Sequence, residues 1–524
     1  MTQKDGMKKL YYGDNLDVLR KKIGDETVDL CYIDPPFNSK RTYNQIYNRI
    51  GAEDRAQAQS FTDTWVWDER AIQGYSEILA NDRGRFQGQL VELIKGLHGV
   101  LGEGSLFAYL ISMALRITEI HRVLKKTGTF FLHCDPTASH YLKLVMDAIF
   151  VPTGGDFLNE LIWCYSQGGR SKSWFPKKHD VIFWYSRGKK WKFNEDKIRV
   201  KYELLSQKSS TSFTKTDNEG RKYKEIYGPG KMKLYKYYED AGKVPYDWWT
   251  DIHQMTGRTA ASGNEYLGYQ TQKPEALLER IIQAASEVND VVLDAYCGCG
   301  TTVAVAERLE RNWIGIDITY QSVSVVLRRL ESKFGRAIVD TIITDGIPSD
   351  MESAIALSQK KDDRLRKEFE KWALLTYTNN RAIINEKKGA DVGVDARAYF
   401  MTGKTNNAKI IFQAKSGGVK RGDIATLRGD MARENATLAV LVTLEEPSRP
   451  MVAEAKAAGQ YKHDTMGREY DRISIVTVRE IVEGGKRLDI PMSLEVLQAA
   501  KSVGDGAEQL GLLDPEGDLD PEGD

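Results

Sequence analysis

Cysteine is scarce in this chain: five in 524 residues, at positions 31, 134, 164, 297 and 299. They form no paired framework, which excludes a disulfide-built fold and points to a reducing, cytoplasmic setting. Cys297 and Cys299 stand one residue apart with no second pair or His cluster beside them, so a four-ligand zinc shell cannot be assembled locally. No apolar run is long enough to cross a bilayer, and no membrane role is expected. Residues 1–10 are too polar for a secretory signal, and Met7 offers an alternative start. Net charge is also absent, with 74 Lys and Arg against 74 Asp and Glu. Affinity for a polyanion must therefore come from local patches. What is present is 41% hydrophobic residues over a length that suits about three domains with real cores.

Residues 8–164 alternate strand-like and helix-like runs, which predicts a parallel α/β sheet with both faces covered. Lys9–Tyr12, Val28–Ile33 and Thr129–His133 read as strands, Arg116–Leu124 and Ala138–Phe150 as helices. His133 and His140 are expected to hold strand or helix ends. Residues 165–264 change character. Between Ser171 and Thr250 there are 19 Lys and Arg against 10 Asp and Glu, interleaved with Trp and Tyr, and periodicity is poor. This is either a solvated irregular insertion or a surface for phosphates and stacked bases. Residues 265–335 return to α/β order, with a helix from Pro274 to Ser286 that places proline at its first position, strands Val291–Ala295 and Trp313–Asp317, and a helix Thr301–Arg311. A polar connector, 336–361, leads to another α/β segment, 362–490. The tail, 502–524, is acidic, carries the direct repeat Leu513–Asp518 and Leu519–Asp524, and is expected to be disordered.

Two loops carry chemistry. Asp294-Ala295-Tyr296-Cys297-Gly298-Cys299-Gly300-Thr301-Thr302 lies between an apolar strand and a helix. Its glycines permit close backbone approach, and the helix start offers N–H groups to a carboxylate. Gly315-Ile316-Asp317 ends the next strand with an acid, which suits a ribose diol. The second loop, Asp34-Pro35-Pro36-Phe37, follows the strand Val28–Ile33. The prolines free carbonyl oxygens to accept, Asp34 adds an anionic acceptor and Phe37 a flat apolar face. That set fits an amino group beside a stacked ring.

Tyr12-Gly13-Asp14-Asn15-Leu16, Asp34-Pro35-Pro36-Phe37-Asn38, Gln272-Lys273-Pro274-Glu275-Ala276-Leu277-Leu278 and the Asp294–Thr302 loop, in that order, closely resemble the amino-methyltransferases that modify DNA. The order, with the Asp34 loop first and a basic insertion between, is similar to their permuted β group, whose insertion is the target-recognition domain. Ala295 and Tyr296 stand where the family usually has Pro and Phe, and Gln270 where a Pro is common. The resemblance implies a Rossmann-like fold over residues 8–164 and 265–335, S-adenosylmethionine as cofactor and double-stranded DNA as partner. It implies that Asp34 and the Pro35 carbonyl accept from the target amino group, with Pro36 in the same loop and Phe37 stacked on the flipped base. It assigns Asp294 and backbone groups of Gly298, Gly300 and Thr301 to the methionine end of the cofactor, Asp317 to its ribose and Asp14 to its adenine. Lys273 and Tyr296 are assigned to the same site. Adenine N6 is the expected target, because cytosine-N4 members more often carry Ser where Asp34 stands. The oligomeric state is open, a dimer being one option.

In the last segment, Gly393-Val394-Asp395 precedes Ile410-Ile411-Phe412-Gln413-Ala414-Lys415. Gln413 and Lys415 share a strand face, which alone suits a hairpin with a wet face. With Phe369-Glu370 and Ser416-Gly417 these residues resemble the Mrr-like restriction endonucleases of the PD-(D/E)xK fold, Val392 replacing a usual glycine. That implies Asp395, Gln413 and Lys415 as catalytic residues, and Asp395, Gln413 and Glu370 as ligands of Mg²⁺. The combination reads as a single-chain restriction-modification protein. A methyltransferase whose last domain only binds DNA, and a defence nuclease that senses methylation, are the alternatives.

Overall fold

The computed structural model of the chain describes residues 7–36, 42–46, 57–62, 65–165, 173–201, 213–227, 234–255, 265–267, 271–359, 363–385, 393–402, 407–463 and 467–490. Phe37 and the repeat-bearing tail lie outside them, as do parts of the basic insertion. These residues fall into two compact units: the larger extends to Asn380 and takes in Val478–Lys486, and Arg381–Thr477 form the body of the smaller.

The larger unit is built on a nine-stranded sheet. Its strands are β1 (Lys8–Tyr12), β2 (Val28–Ile33), β3 (Leu124–Cys134), β4 (Asp156–Cys164), β5 (His179–Ser186), β6 (Trp248–Trp249), β7 (Val291–Asp294), β8 (Asn312–Asp317) and β9 (Ile343–Asp345). The spatial order is β6-β4-β5-β3-β2-β7-β8-β1-β9. Strands β3, β2, β7, β8, β1 and β9 run parallel to one another, and β5 is antiparallel to both β3 and β4. Strand β2 is buried at all six positions, the pattern of a central strand covered on both faces. Its alternation feeds two cores. Cys31 and Ile33 pack with the helices Ser105–Val123 and Ser139–Phe150. Leu30 and Tyr32 pack with Glu275–Ala285, Thr301–Arg308 and Tyr320–Phe334.

Several elements differ from the sequence reading. The helix expected from Arg116 begins at Ser105, since Phe107–Leu115 is buried on nearly every side and so carries little periodic signal. Pro274 is the N-cap of its helix, with ψ 141°, rather than its first residue. The first helical N–H, of Glu275, is taken by the Glu265 carboxylate at 2.6 Å. The helix from Thr301 ends at Arg308, where Glu310 turns left-handed at φ 58°. The stretch read as a polar connector folds into two helices, Arg336–Asp340 and Met351–Ser358, around β9, which covers the free edge of β1. Within the basic insertion, β5 and β6 belong to the main sheet, and Trp184 and Trp249 are core residues. A separate antiparallel sheet, Lys215–Thr216, Lys222–Tyr227 and Leu234–Tyr238, keeps Tyr235 and Tyr237 exposed.

The smaller unit has a five-stranded sheet ordered Ile383–Ile384, Ala396–Met401, Asn407–Lys415, Leu438–Thr443, Ile473–Thr477. Its first three strands are antiparallel and its last two join in parallel. Helices Arg421–Arg433 and Arg449–Lys456 pack on one face through Ile424, Leu427, Met431 and Met451. Among the described residues, no helix is long and apolar enough to cross a membrane.

Candidate active sites

Strands β2, β7 and β8 lie side by side and parallel, so the acids that end or follow them, Asp34, Asp294 and Asp317, emerge at one edge of the sheet. Ligands of open α/β sheets sit at the carboxyl ends of the strands. The three carboxylates act on one another: burial pushes the Asp294 carboxyl up to about 7, hydrogen bonds from Thr302 and the Tyr296 N–H oppose this, and Asp34 and Asp317 push it further up. Burial also raises Asp317, to about 6, against hydrogen bonds from Thr319 and Gly298.

Asp34 is held at one oxygen only. Lys273 Nζ donates to Oδ2 at 2.6 Å, with both side chains largely buried. Oδ1 is buried and, among the described residues, has no hydrogen-bond partner. Lys273, expected at the cofactor, thus lies against the Asp34 carboxylate. Beneath it runs a buried polar chain. The Tyr32 hydroxyl meets His133 Nδ1 at 2.8 Å, His133 Nε2 meets Asp180 at 3.0 Å, and the Tyr165 hydroxyl donates to Asp180 at 3.1 Å. Burial would raise the Asp180 carboxyl, but His133 and Lys273 together hold it below the usual range. His133 therefore anchors the acid loop's strand to β5. His140 has no part in this chain.

Gly298 and Gly300 adopt positive φ, 48° and 74°. A Cβ on Gly300 would come within 2.8 Å of Val326, so the turn admits no side chain there. Their N–H groups are already used: Gly298 donates to Asp317 Oδ2 at 2.9 Å and Gly300 to the Cys297 carbonyl at 2.7 Å. Thr301 is the first residue of its helix, where the opening N–H groups have no partner within the helix. Asp14 caps the helix Asn15–Lys22 through Leu16 N and receives Arg116 at 3.0 Å. Tyr296 turns into the core, its hydroxyl 3.7 Å from Met113 Sδ. Asn15 ties the two loops by donating to the Ala295 carbonyl at 2.8 Å.

In the smaller unit, Asp395 sits just before Ala396–Met401, and its Oδ2 accepts from Ala414 N at 2.8 Å, which fixes it beside Gln413. Gln413 is buried and its Oε1 has no partner. Lys415 is partly exposed, 3.6 Å from Asp423. Glu370 lies on the helix Asp363–Tyr377, which belongs to the larger unit. Among the described residues no group of three His, Cys, Asp or Glu side chains is placed to hold a metal.

The model of the DNA methylase family matches residues 28–327, more than half of the chain. The chain belongs to that family. Residues 366–467 match the restriction endonuclease family. Among curated relatives, the chain is 34% identical over 219 residues to the type II methyltransferase M1.MboII of Moraxella bovis, covering 41% of this chain and 78% of that protein. It is 26% identical over 326 residues to the DNA adenine methyltransferase YhdJ of Escherichia coli strain K12, covering 62% and 83%. Of solved structures, the M1.HpyAVI–SAM complex aligns over 62% of this chain and 98% of its own, at 16% identity and a TM-score of 0.32. The protein is thus an S-adenosylmethionine-dependent DNA methyltransferase of the N6/N4 family, with a C-terminal restriction endonuclease-like domain.

The residues fit that cofactor. A sulfonium and an ammonium call for anions, which Asp294 and Asp317 would supply. Ile318, half exposed next to Asp317, offers an apolar face to an adenine. Sequence reasoning missed Ile318, and also Arg116, whose signal was a lone cation inside an apolar helix. The raised acids give a pH signature. An acid raised above its unfolded value of about 3.9 stabilises the fold fully below that value, and the contribution is lost as pH rises through 6 to 7. A cationic cofactor acts oppositely, since it needs both acids ionised. Calorimetric affinity for S-adenosylmethionine should fall about tenfold between pH 8 and pH 6, with proton release on binding. The Asp294→Asn variant should bind weakly with a flatter profile. Affinity independent of pH in the wild type would show that neither acid faces the cofactor.

Proposed function

We propose that this methyltransferase acts on adenine N6 in double-stranded DNA, and that its C-terminal domain is a Mg²⁺-dependent nuclease, together a single-chain restriction-modification protein. The observation that carries the first part is Asp34: one oxygen locked by Lys273, the other buried and, among the described residues, without a partner. An exocyclic amine of a flipped base has two N–H groups to place. One goes to Asp34 Oδ1 and the other to the Pro35 carbonyl, which directs the nitrogen lone pair away from both acceptors. S-adenosylmethionine, when bound, supplies the activated methyl. Lys273 keeps Asp34 in one rotamer, so positioning is set before substrate arrives. Asp317 and Asp14 hold the ribose and adenine of the cofactor, and Asp294 and Thr301 its methionine end.

Adenine is favoured because Asp34 is an acid where cytosine-directed enzymes of this type more often carry Ser. The relative from Escherichia coli named as an adenine methyltransferase supports the same choice. Nucleoside mass spectrometry of duplex DNA methylated by the purified protein should show N6-methyladenine. N4-methylcytosine without N6-methyladenine would overturn the assignment. For the nuclease, the Gln413 oxygen and the fixed Asp395 carboxylate supply hard oxygen donors suited to Mg²⁺.

A further inference from the structure

The loop that presents Asp317 runs directly into the helix Tyr320–Phe334. Thr319 caps that helix through Ser322 N and ties back to Asp317 Oδ1 with its own N–H at 2.9 Å. The next helical N–H, of Tyr320, is met from far along the chain: Glu368 Oε2 accepts it at 2.9 Å. Glu368 is 8% exposed. A carboxylate so buried is costly unless it is fully bonded, and this one is well supplied. Its other oxygen pairs with Lys371 at 3.0 Å, and after burial its charge is what most raises the nearby Tyr12 hydroxyl. A helix N-terminus is also where a negative charge is best placed.

Tyr12 ends β1, immediately before Gly13-Asp14. Its ring stands edge-on to Tyr320, centroids 5.9 Å apart. The Tyr320 hydroxyl in turn meets Thr376 Oγ1 at 3.1 Å. Glu368 and Thr376 lie two turns apart on the helix Asp363–Tyr377. One helix therefore holds the start of the helix that follows the Asp317 loop, and through Tyr320 it is linked to Tyr12, just before the Asp14 loop. That helix lies beyond the DNA methylase match, which ends at 327, and inside the restriction endonuclease match, which begins at 366.

We infer that Glu368 is a positioning residue of the S-adenosylmethionine site, so that the methyltransferase draws cofactor affinity from a helix that its sequence assigns to the nuclease. This rests on the reading of Asp14 and Asp317 as cofactor groups. Full-length wild type and the variants Glu368→Ala, Glu368→Gln, Thr376→Val and Asp317→Ala are compared by calorimetry with S-adenosylmethionine and with S-adenosylhomocysteine. Loss of a charge-assisted hydrogen bond should weaken binding by Glu368→Ala about tenfold or more. KM for the cofactor should rise while kcat at saturation stays within about twofold. Glu368→Gln, which keeps an acceptor, should recover most of the affinity. Amide exchange of the cofactor-free protein should quicken at residues 318–322 in Glu368→Ala.

Wild-type cofactor affinity in Glu368→Ala overturns the inference. If Glu368→Ala does not fold, Thr376→Val decides, because it buries no charge. A severalfold weaker affinity supports the inference, and an unchanged one overturns it. Asp317→Ala separates the two levels of the argument. If it too binds normally, the cofactor site itself is misassigned; if it loses binding while Glu368→Ala does not, only the role of Glu368 fails.

Discussion

Replacing Asp34 with alanine should lower methyl transfer by about 10²–10³-fold or more, the effect of removing a single preorganised polar group at a reacting centre, while S-adenosylmethionine still binds. The separation follows from the sheet. Asp34 follows β2, whereas Asp294 and Asp317 end β7 and β8 and keep their own hydrogen bonds from Tyr296, Thr319 and Gly298. The substitution also leaves Lys273 largely buried without its carboxylate, a change that destabilises by about 3–5 kcal/mol where a pair is fully buried and by less here. A melting curve is therefore part of the experiment. The double variant Asp34→Ala, Lys273→Met removes the lysine charge as well and should not regain turnover. Asp34→Asn keeps an acceptor oxygen but not the anion, and should fall between wild type and Asp34→Ala. Wild-type turnover in Asp34→Ala, with cofactor saturating, would place the reacting amine elsewhere.

The parts of this architecture legible in the sequence are those where local rules agree. Val28–Ile33 is an apolar run broken only by Asp29 and followed by Asp-Pro-Pro, and it is the central strand with Asp34 just past its carboxyl end. The Asp294–Thr302 loop announces its turn by glycines that do adopt positive φ. Pairings across long sequence separations were not legible. Nothing near Lys273 says that it reaches Asp34, 239 residues away. Nor does the sequence say that the N–H groups of Gly298 and Gly300 bond within the protein, to Asp317 and to the Cys297 carbonyl. Trp184 and Trp249 counted as interleaved aromatics of a basic surface, yet they fill the core, because composition does not distinguish strands of the main sheet from an inserted module. A short strand such as β9, with two of its three residues exposed, has no periodicity to read and exists because β1 has an edge to cover.

Lys415→Ala should abolish DNA cleavage, by about 10²-fold or more, and leave methylation unchanged. Lys415 lies in the smaller compact unit and all the methyltransferase acids in the larger. Its ammonium is partly exposed and makes only a long contact with Asp423, 3.6 Å, so its removal should cost well under 1 kcal/mol of stability. Its chemical worth is different: on the same strand face as Gln413, a cation there is placed to polarise an attacking water or to stabilise charge on a phosphate. Asp395→Ala should also stop cleavage, but for another reason, through loss of Mg²⁺, and the two variants separate on a Mg²⁺ titration. Lys415→Ala should retain wild-type binding of the ion, whereas Asp395→Ala should not. Methylation by the wild type should proceed in EDTA, where cleavage stops. The decisive measurement incubates wild type and both variants with Mg²⁺ on unmethylated and on fully methylated duplex DNA. Cutting of either substrate by the wild type and by neither variant supports the nuclease. No cutting of either by the wild type, under conditions where methylation proceeds, leaves Asp395, Gln413 and Lys415 as parts of a domain that binds DNA without breaking it.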